Sequence, residues 1–290
     1  MRRVGCKGVR FRIIHRFRDR YPLGELCALL EVSRSGYYKW TARQGRPDRD
    51  EPIAELIKEC HEKTHGIYGY RRVKIWLLRE TGLIINHKAV LRITRKYGLQ
   101  AETKKKRFRH YQCDSFRHYE NVLNRDFKAS APNQKWATDI SYIPTQQGFL
   151  YLSVIKDLYD KSIVAYKYAT DMSARLVIDT VRAAVKGAQP SAKLLLHSDN
   201  GFQYTSMAYF NVTKANGIEP SMSRVGCPYD NACVESFFSL LKNECIYRVS
   251  KGTMDEMKEL IDEYIHFYNY ERIQLASCCT PMEQRVQACA

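Results

Sequence analysis

Three carboxylates set the chemical question for this 290-residue chain: Asp139, Asp199 and Glu235. Residues 200–234 separate the second from the third, and spacing alone makes a weak case because acids are common. Their contexts make a stronger one. Asp139 lies in Gln134-Lys135-Trp136-Ala137-Thr138-Asp139-Ile140-Ser141, a β-forming run after the breakers Ala131-Pro132-Asn133. Asp199 lies in the turn His197-Ser198-Asp199-Asn200-Gly201, at the carboxyl end of an apolar strand, where open α/β sheets hold their ligands. Glu235 follows the turn-rich Gly226-Cys227-Pro228-Tyr229-Asp230-Asn231 and opens a helix through Lys242. Acids brought together in this way suit hard divalent cations, which take oxygen ligands and keep positions for water and phosphate. Two such ions about 3.5–4 Å apart stabilise both oxygens of an in-line phosphoryl displacement. Asp157 and Asp160 are rival acids, but they sit in a hairpin turn where Asp serves local hydrogen bonding, and they are set aside.

The elements that must position the three acids follow from periodicity. Phe149–Ile155 and Ser162–Tyr168 continue the first strand as an antiparallel meander. A helix over Ser173–Lys186 places Leu176, Val177, Thr180, Val181, Ala184 and Val185 on one face. A strand over Lys193–His197, a helix over Ser206–Ala215 and a strand over Glu219–Ser223 complete the order β-β-β-α-β-α-β-α, with acids on the first strand, after the fourth and on a late helix. Trp136, Tyr151, Phe210 and Phe237 read as core.

The remainder of the chain is basic. It holds 47 Lys plus Arg against 31 Asp plus Glu, a net charge of +16, which favours a polyanionic partner over an acidic small molecule. The charge gathers at the front, where Arg2, Arg3, Lys7, Arg10, Arg12, Arg16, Arg18, Arg20, Arg34, Lys39, Arg43, Arg46 and Arg49 face only five acids within residues 1–50. A helix over Leu23–Leu30, a turn at Glu31-Val32-Ser33 and a helix from Arg34, capped by Ser33, outline a helix-turn-helix. Arg34, Tyr37 and Lys39 are its candidate DNA contacts, while Tyr38 and Trp40 are expected to pack. A second helical unit has helices over Pro52–His61 and Tyr70–Arg79 and, after a cap at Asn86, through Tyr97. Arg71 and Arg72 begin its middle helix against the dipole, which an external phosphate or an internal carboxylate would explain. Lys104, Lys105 and Lys106 lead a basic, aromatic-studded connector suited to tracking phosphates. The ten cysteines form no CxxC pair, so they are expected to be reduced thiols in a cytoplasm rather than disulfide partners. His61 and His65 lack the cysteines of a zinc site. There is no apolar run of membrane-spanning length.

Three segments together resemble one family: Trp136-Ala137-Thr138-Asp139-Ile140-Ser141, His197-Ser198-Asp199-Asn200-Gly201-Phe202-Gln203-Tyr204, and Asp230-Asn231-Ala232-Cys233-Val234-Glu235-Ser236-Phe237-Phe238. They resemble, in order, the insertion-sequence transposases of the IS-three family, whose second reading frame encodes a DDE core similar to that of retroviral integrases. Tyr268-Asn269-Tyr270-Glu271-Arg272-Ile273-Gln274 with Thr280-Pro281 resembles the family's closing signature, and His65-Gly66-Ile67-Tyr68-Gly69-Tyr70-Arg71-Arg72 its helical DNA-binding segment.

The resemblance implies an α/β fold, a ribonuclease-H-like mixed sheet flanked by helices, preceded by all-α helix-turn-helix-like domains. The expected division is a basic region 1–49, a second helical unit 50–100, a linker 101–127, and a catalytic core with C-terminal helices over 128–290. Asp139, Asp199 and Glu235 are the implied catalytic acids and ligands of two Mg²⁺ or Mn²⁺ ions. Lys242, two helical turns beyond Glu235, is an implied contact to DNA near the scissile phosphate. The implied reaction is cleavage at transposon ends followed by 3′-hydroxyl attack on a second phosphodiester. Implied partners are transposon-end and target DNA, further copies of the chain, and an upstream-frame helix-turn-helix protein joined by fusion or association, in a bacterial cytoplasm at the nucleoid. A structure-specific nuclease and a DNA-binding regulator with an inactive core are the rival readings.

Overall fold

β-forming residues from Lys135 onward build a sheet whose central strands are buried on both faces. The computed structural model describes residues 7–44, 48–101, 119–190 and 193–289. β1 (Lys135–Thr145), β2 (Gly148–Asp157) and β3 (Ile163–Ala169) form the expected antiparallel meander, with Asp139 opposite Val154. β1 runs further than its sequence suggests, through Pro144. Proline is tolerated there because β4 (Leu194–Ser198) pairs with β1 only over Lys135–Ala137, leaving the later part of β1 as an edge. β4 lies parallel to β1, and β5 (Ile218–Met222) lies parallel to β4, giving the order β3-β2-β1-β4-β5.

The two faces of the sheet are covered by different helices. On one, Trp136, Ile155, Leu194 and Leu196 pack with Val177, Val181 and Ala184 of α7 (Ala174–Ala188) and Tyr209 and Val212 of α8 (Met207–Ala215). On the other, Ala137, Ile143, Leu152, Val154 and Leu195 pack with Val234, Phe237 and Leu241 of α9 (Ala232–Glu244) and Ile261, Tyr264 and Tyr268 of α10 (Met254–Tyr270). Thr253 and Glu256 close a reciprocal capping box at the start of α10. α11 (Pro281–Cys289) follows, and its Arg285 reaches back to the fully buried Asp160 at 3.0 Å and to Asp157 at 3.4 Å. Those two acids are thus tied into the fold as well as bonded locally to the Tyr159 and Ser162 amides.

Six helices precede the sheet among the described residues: α1 (Lys7–Phe17), α2 (Leu23–Leu29), α3 (Arg34–Gln44), α4 (Glu51–Lys63), α5 (Tyr70–Thr81) and α6 (His87–Lys96). α4 to α6 share a core of Ile57, Cys60, Val73, Trp76, Leu77, Val90 and Ile93. Gly82, left-handed at φ 70°, ends α5, and the Asn86 carboxamide caps α6 by accepting from the Lys88 amide at 2.9 Å. Ile273, past α10, completes this core, so the helical unit is seated on the C-terminal part of the chain.

α1 is an element that the sequence pattern does not announce, and it changes the roles of the aromatics in α3. Tyr37, a candidate DNA contact, is 2% exposed; it packs with Ile14 and Phe11 and bonds His15 Nδ1 at 3.1 Å. Tyr38, expected to pack, is instead 60% exposed. One residue is 100° of helix, so the presence of α1 decides which of two adjacent tyrosines turns inward.

Candidate active site

β4 and β1 run parallel with Ala137 opposite His197, and continuing that register two residues brings Asp199 beside Asp139. Ala137 and Leu195 face α9, so alternation turns Asp139 and Asp199 toward the same helix. The Ile140 amide donates to Asp139 Oδ1 at 2.8 Å, and the Gly201 amide donates to Asp199 Oδ1 at 2.9 Å, closing a turn around the second acid. A β-carbon at residue 201 would lie 2.9 Å from Asp199 Oδ1 and 2.8 Å from Gln203 Oε1, so any side chain there would displace one or both of those oxygens.

Glu235 comes from the first turn of α9, where the helix dipole favours an acid. Two bonds fix that turn over the sheet: Asn231 Nδ2 donates to the Thr138 carbonyl at 3.2 Å, and Lys156 Nζ to the Cys233 carbonyl at 3.0 Å. Asp230, fully buried, anchors the preceding loop by accepting from Asn121, Arg125 and Arg224. The Arg224 and Arg125 guanidiniums hold its carboxyl far below the usual range, Arg224 most strongly.

The three acids share one electrostatic neighbourhood. Dense surroundings, then the charge of Asp199 and that of Glu235, push the Asp139 carboxyl well above its ordinary pKa; the Ile140 amide and Lys242 oppose this. Asp199 is raised by its surroundings, and Glu235 by its surroundings and by the charge of Asp199. Asp139 and Asp199 are half-buried and Glu235 is exposed, so the cluster opens to solvent on one side. Lys242, half-buried on the same helix as Glu235, is lowered by burial and drawn up by Asp139. Its ammonium lies 5.1 Å from the centre of the Tyr142 ring.

Like charges held this close favour a bound cation, and an all-oxygen donor set fits a hard one. Among the described residues, no group of three or more His, Cys, Asp or Glu side chains is gathered tightly enough to hold a metal ion by itself. The donor chemistry, carboxylate oxygens on a side open to water, fits a hard divalent ion whose other ligands are water and substrate oxygens.

Three residues without a role assigned from sequence support the acids. His197 is fully buried, with Nδ1 2.9 Å from Ser221 Oγ and Nε2 3.1 Å from Ser223 Oγ, which clamps β4 to β5 just before Asp199. Burial pushes its pKa down to about 4, so the ring is neutral near pH 7. Tyr204, buried beneath Asp139 and Asp199, bonds Thr138 Oγ1 at 3.4 Å, and Asn231 ties β1 to α9. All three fall within the quoted motifs, which were the available signal.

The candidate DNA contacts are scattered. Arg34 and Lys39 are exposed on α3, and the Arg34 guanidinium lies against Gly24 of α2. Arg71 is exposed and rests on the Tyr70 ring. Arg72 Nε donates to the Ile273 carbonyl at 3.0 Å, and the guanidinium lies over the Tyr68 ring, so an internal carbonyl takes the place reserved for an anion. Lys104, Lys105 and Lys106 lie outside the described residues.

Comparison with known proteins places these features in a family context. Integrase core domain families match residues 129–228 and 235–288, and an HTH-like domain matches residues 47–107. The chain is 39% identical over 277 residues to InsK for insertion sequence element IS150 of Escherichia coli (strain K12), covering 95% of this chain and 98% of that one. It is 33% identical over 280 residues to transposase InsF for insertion sequence IS3A of the same organism, covering 93% and 95%. Among solved structures, the simian T-cell lymphotropic virus intasome in complex with a PP2A regulatory subunit aligns at 14% identity and TM-score 0.48, over 79% of this chain and 74% of that one. The HTLV-2 integrase catalytic core domain in complex with magnesium aligns at 13% identity and TM-score 0.44, over 54% and 98%.

Proposed function

Because this chain belongs to the insertion-sequence transposases with an integrase core domain, enzymes of the DDE polynucleotidyl-transferase type, we propose that Asp139, Asp199 and Glu235 are the acids at which it cuts a transposon end and joins it to a target. The observation that carries this reading is the convergence of three like charges from β1, the β4 turn and α9 on one open site. Asp139 with Asp199, and Asp139 with Glu235, would each hold one of two Mg²⁺ or Mn²⁺ ions. When bound, such ions stabilise the attacking and leaving oxygens of an in-line displacement and ease deprotonation of the attacking water.

The protein's own groups supply position. Asp139 lies just past the stretch of β1 paired on both sides, Lys135–Ala137, and is itself paired with Val154 of β2, while Asp199 is held by its turn and the His197 clamp. Glu235 sits at the rim with one side free, suited to orienting the nucleophile: water in cleavage, the exposed 3′-hydroxyl in joining. Lys242 carries positive charge to the scissile phosphate from the same helix. End recognition belongs to the helical segments 1–49 and 50–100, with exposed Arg34, Lys39 and Arg71 on phosphates, and to Lys104, Lys105 and Lys106 in the linker 101–127. Chemistry belongs to 128–290. Assembly of several copies on DNA, association with an upstream-frame protein and a place at the nucleoid are parts of the same proposal.

Glu235→Gln tests it. The variant should bind transposon-end DNA within about twofold of wild type in a gel shift, while Mg²⁺-dependent cleavage falls by at least about a thousandfold. Lost binding, or retained cleavage, would overturn the assignment. Hydrolysed ends with no strand-transfer product from the wild type would point instead to a nuclease.

A further inference from the structure

Beyond Asp139, β1 has β2 on one side and no strand on the other, because β4 ends at Ser198. On this free edge, register pairs Tyr142 with Tyr151 and Pro144 with Phe149, so Tyr142 and Phe149 are diagonal neighbours on one face. They are 56% and 51% exposed, and their rings meet edge to face with centroids 5.5 Å apart. The hairpin that carries them is braced. The Gln146 amide donates to the Gly252 carbonyl at 2.9 Å, Gln146 Nε2 to the Lys251 carbonyl at 2.8 Å, and the Met254 amide to Gln147 Oε1 at 2.7 Å.

Two aromatic rings left half in water on a rigid support contribute little to folding, so their value has to come from what they meet. Lys242 names the neighbourhood. Its ammonium lies 5.1 Å from the Tyr142 ring centre, and it stands two turns after Glu235 on α9. Three residues of strand, about 10 Å, separate Tyr142 from Asp139. Alternation puts the two side chains on opposite faces of β1, so the path between them rounds the free edge where Lys242 of α9 reaches the Tyr142 ring. That span is about three nucleotides at 3.4 Å each. A rigid aromatic face, a cation beside it and phosphodiester chemistry within that span match an unstacked nucleobase better than an apolar protein surface, which would have to desolvate the Lys242 ammonium.

We infer that Tyr142 and Phe149 form a stacking platform for one base of the DNA end, within about three nucleotides of the scissile phosphate. The inference rests on the proposed assignment of the acids. The platform holds the splayed base at the free edge of β1, so that its strand rounds that edge toward Asp139 and Glu235.

The test uses the whole chain carrying Glu235→Gln, so that DNA is bound and not cut, and terminal-repeat duplexes with 5-iodouracil at each of the three positions on either side of the scissile bond. Irradiation should cross-link one of these positions to Tyr142 or Phe149. In the otherwise wild-type protein, Tyr142→Ala with Phe149→Ala should weaken end binding about tenfold without lowering the melting temperature, and Tyr142→Phe should bind normally. Cross-links confined to other residues, or unchanged affinity in the double variant, would overturn the platform. So would a double variant that loses self-association by sedimentation yet binds DNA normally, which would make the patch a contact between copies. Wild-type cleavage is measured on the same DNA. A wild type that cuts beside an unaffected double variant removes the platform alone, and a wild type that neither binds nor cuts removes both readings.

Discussion

Helix α9 carries Glu235 in its first turn and Glu244 in its last, and the two carboxylates meet opposite fates. Glu244 accepts from Arg272 Nη2 at 2.6 Å and Nε at 2.8 Å, and from the Tyr264 hydroxyl at 2.7 Å. Arg272 is 1% exposed, so this is a charge pair taken out of water and satisfied on both sides. Glu235, on the same helix, faces Asp199 and Asp139. The same backbone thus presents one acid to an internal cation and another to like charges, which separates a carboxylate used to hold the fold from one that the proposed function assigns to a ligand. Asp157 and Asp160 around Arg285 belong to the first kind.

Breaking the satisfied pair should have the largest effect on stability. Arg272→Ala leaves Glu244 and Tyr264 without their cation, and removing one partner of a buried pair costs about 3–5 kcal/mol. Urea unfolding should show that loss with and without Mg²⁺. Replacing both partners, Arg272→Met with Glu244→Leu, should recover most of it. If the double variant is as unstable as the single one, the pair owes its importance to some other contact.

The unsatisfied cluster should respond in the opposite way. The folded-state pKa of Asp139 is raised, so the stability linked to it is fully present below the unfolded-state value near 4 and is lost as pH rises through the folded value. In EDTA, stability should therefore fall as pH rises above about 4, and Asp139→Asn should flatten that slope. A divalent ion at a hundred times its dissociation constant should restore about 2.7 kcal/mol to wild type near pH 7.5 and much less to Asp139→Asn. Equal Mg²⁺ stabilisation of both proteins would show that the cation binds elsewhere.

The contrast between the two glutamates was only half legible in the sequence. The meander, the turn holding Asp199 and the helix holding Glu235 could be read because period-2 runs and turn residues are local signals. The register that aligns Asp199 with Asp139 is not local, and neither is the partner of Glu244. α1 was missed because its residues carry a weak apolar stripe, with Ile14 the buried residue among them. With α1 unseen, the facing of Tyr37 and Tyr38 could not be assigned. Arg72 was readable as a cation in an unfavourable place, but its acceptor, the carbonyl of Ile273, lies about two hundred residues away along the chain.

That long-range seam gives the smallest and most specific prediction. Tyr68 is 1% exposed; its hydroxyl donates to the Glu271 carbonyl at 3.0 Å and accepts from the Ile273 amide at 2.9 Å. It brackets Arg272, whose side chain reaches Glu244, so the helical unit and the far end of α9 are joined through three consecutive residues. Tyr68→Phe keeps the ring and removes both bonds, at a cost of about 1 kcal/mol. The loss should be confined to the helical unit and its seam, because the sheet and its two cores are untouched. Hydrogen exchange should instead quicken at Ile273 and along the last turn of α10, while amides around Asp139 and Asp199 keep their protection. If exchange quickens equally at the three acids, the seam and the active site form one cooperative unit, and the separation between structural and ligand-directed carboxylates is less sharp than α9 suggests.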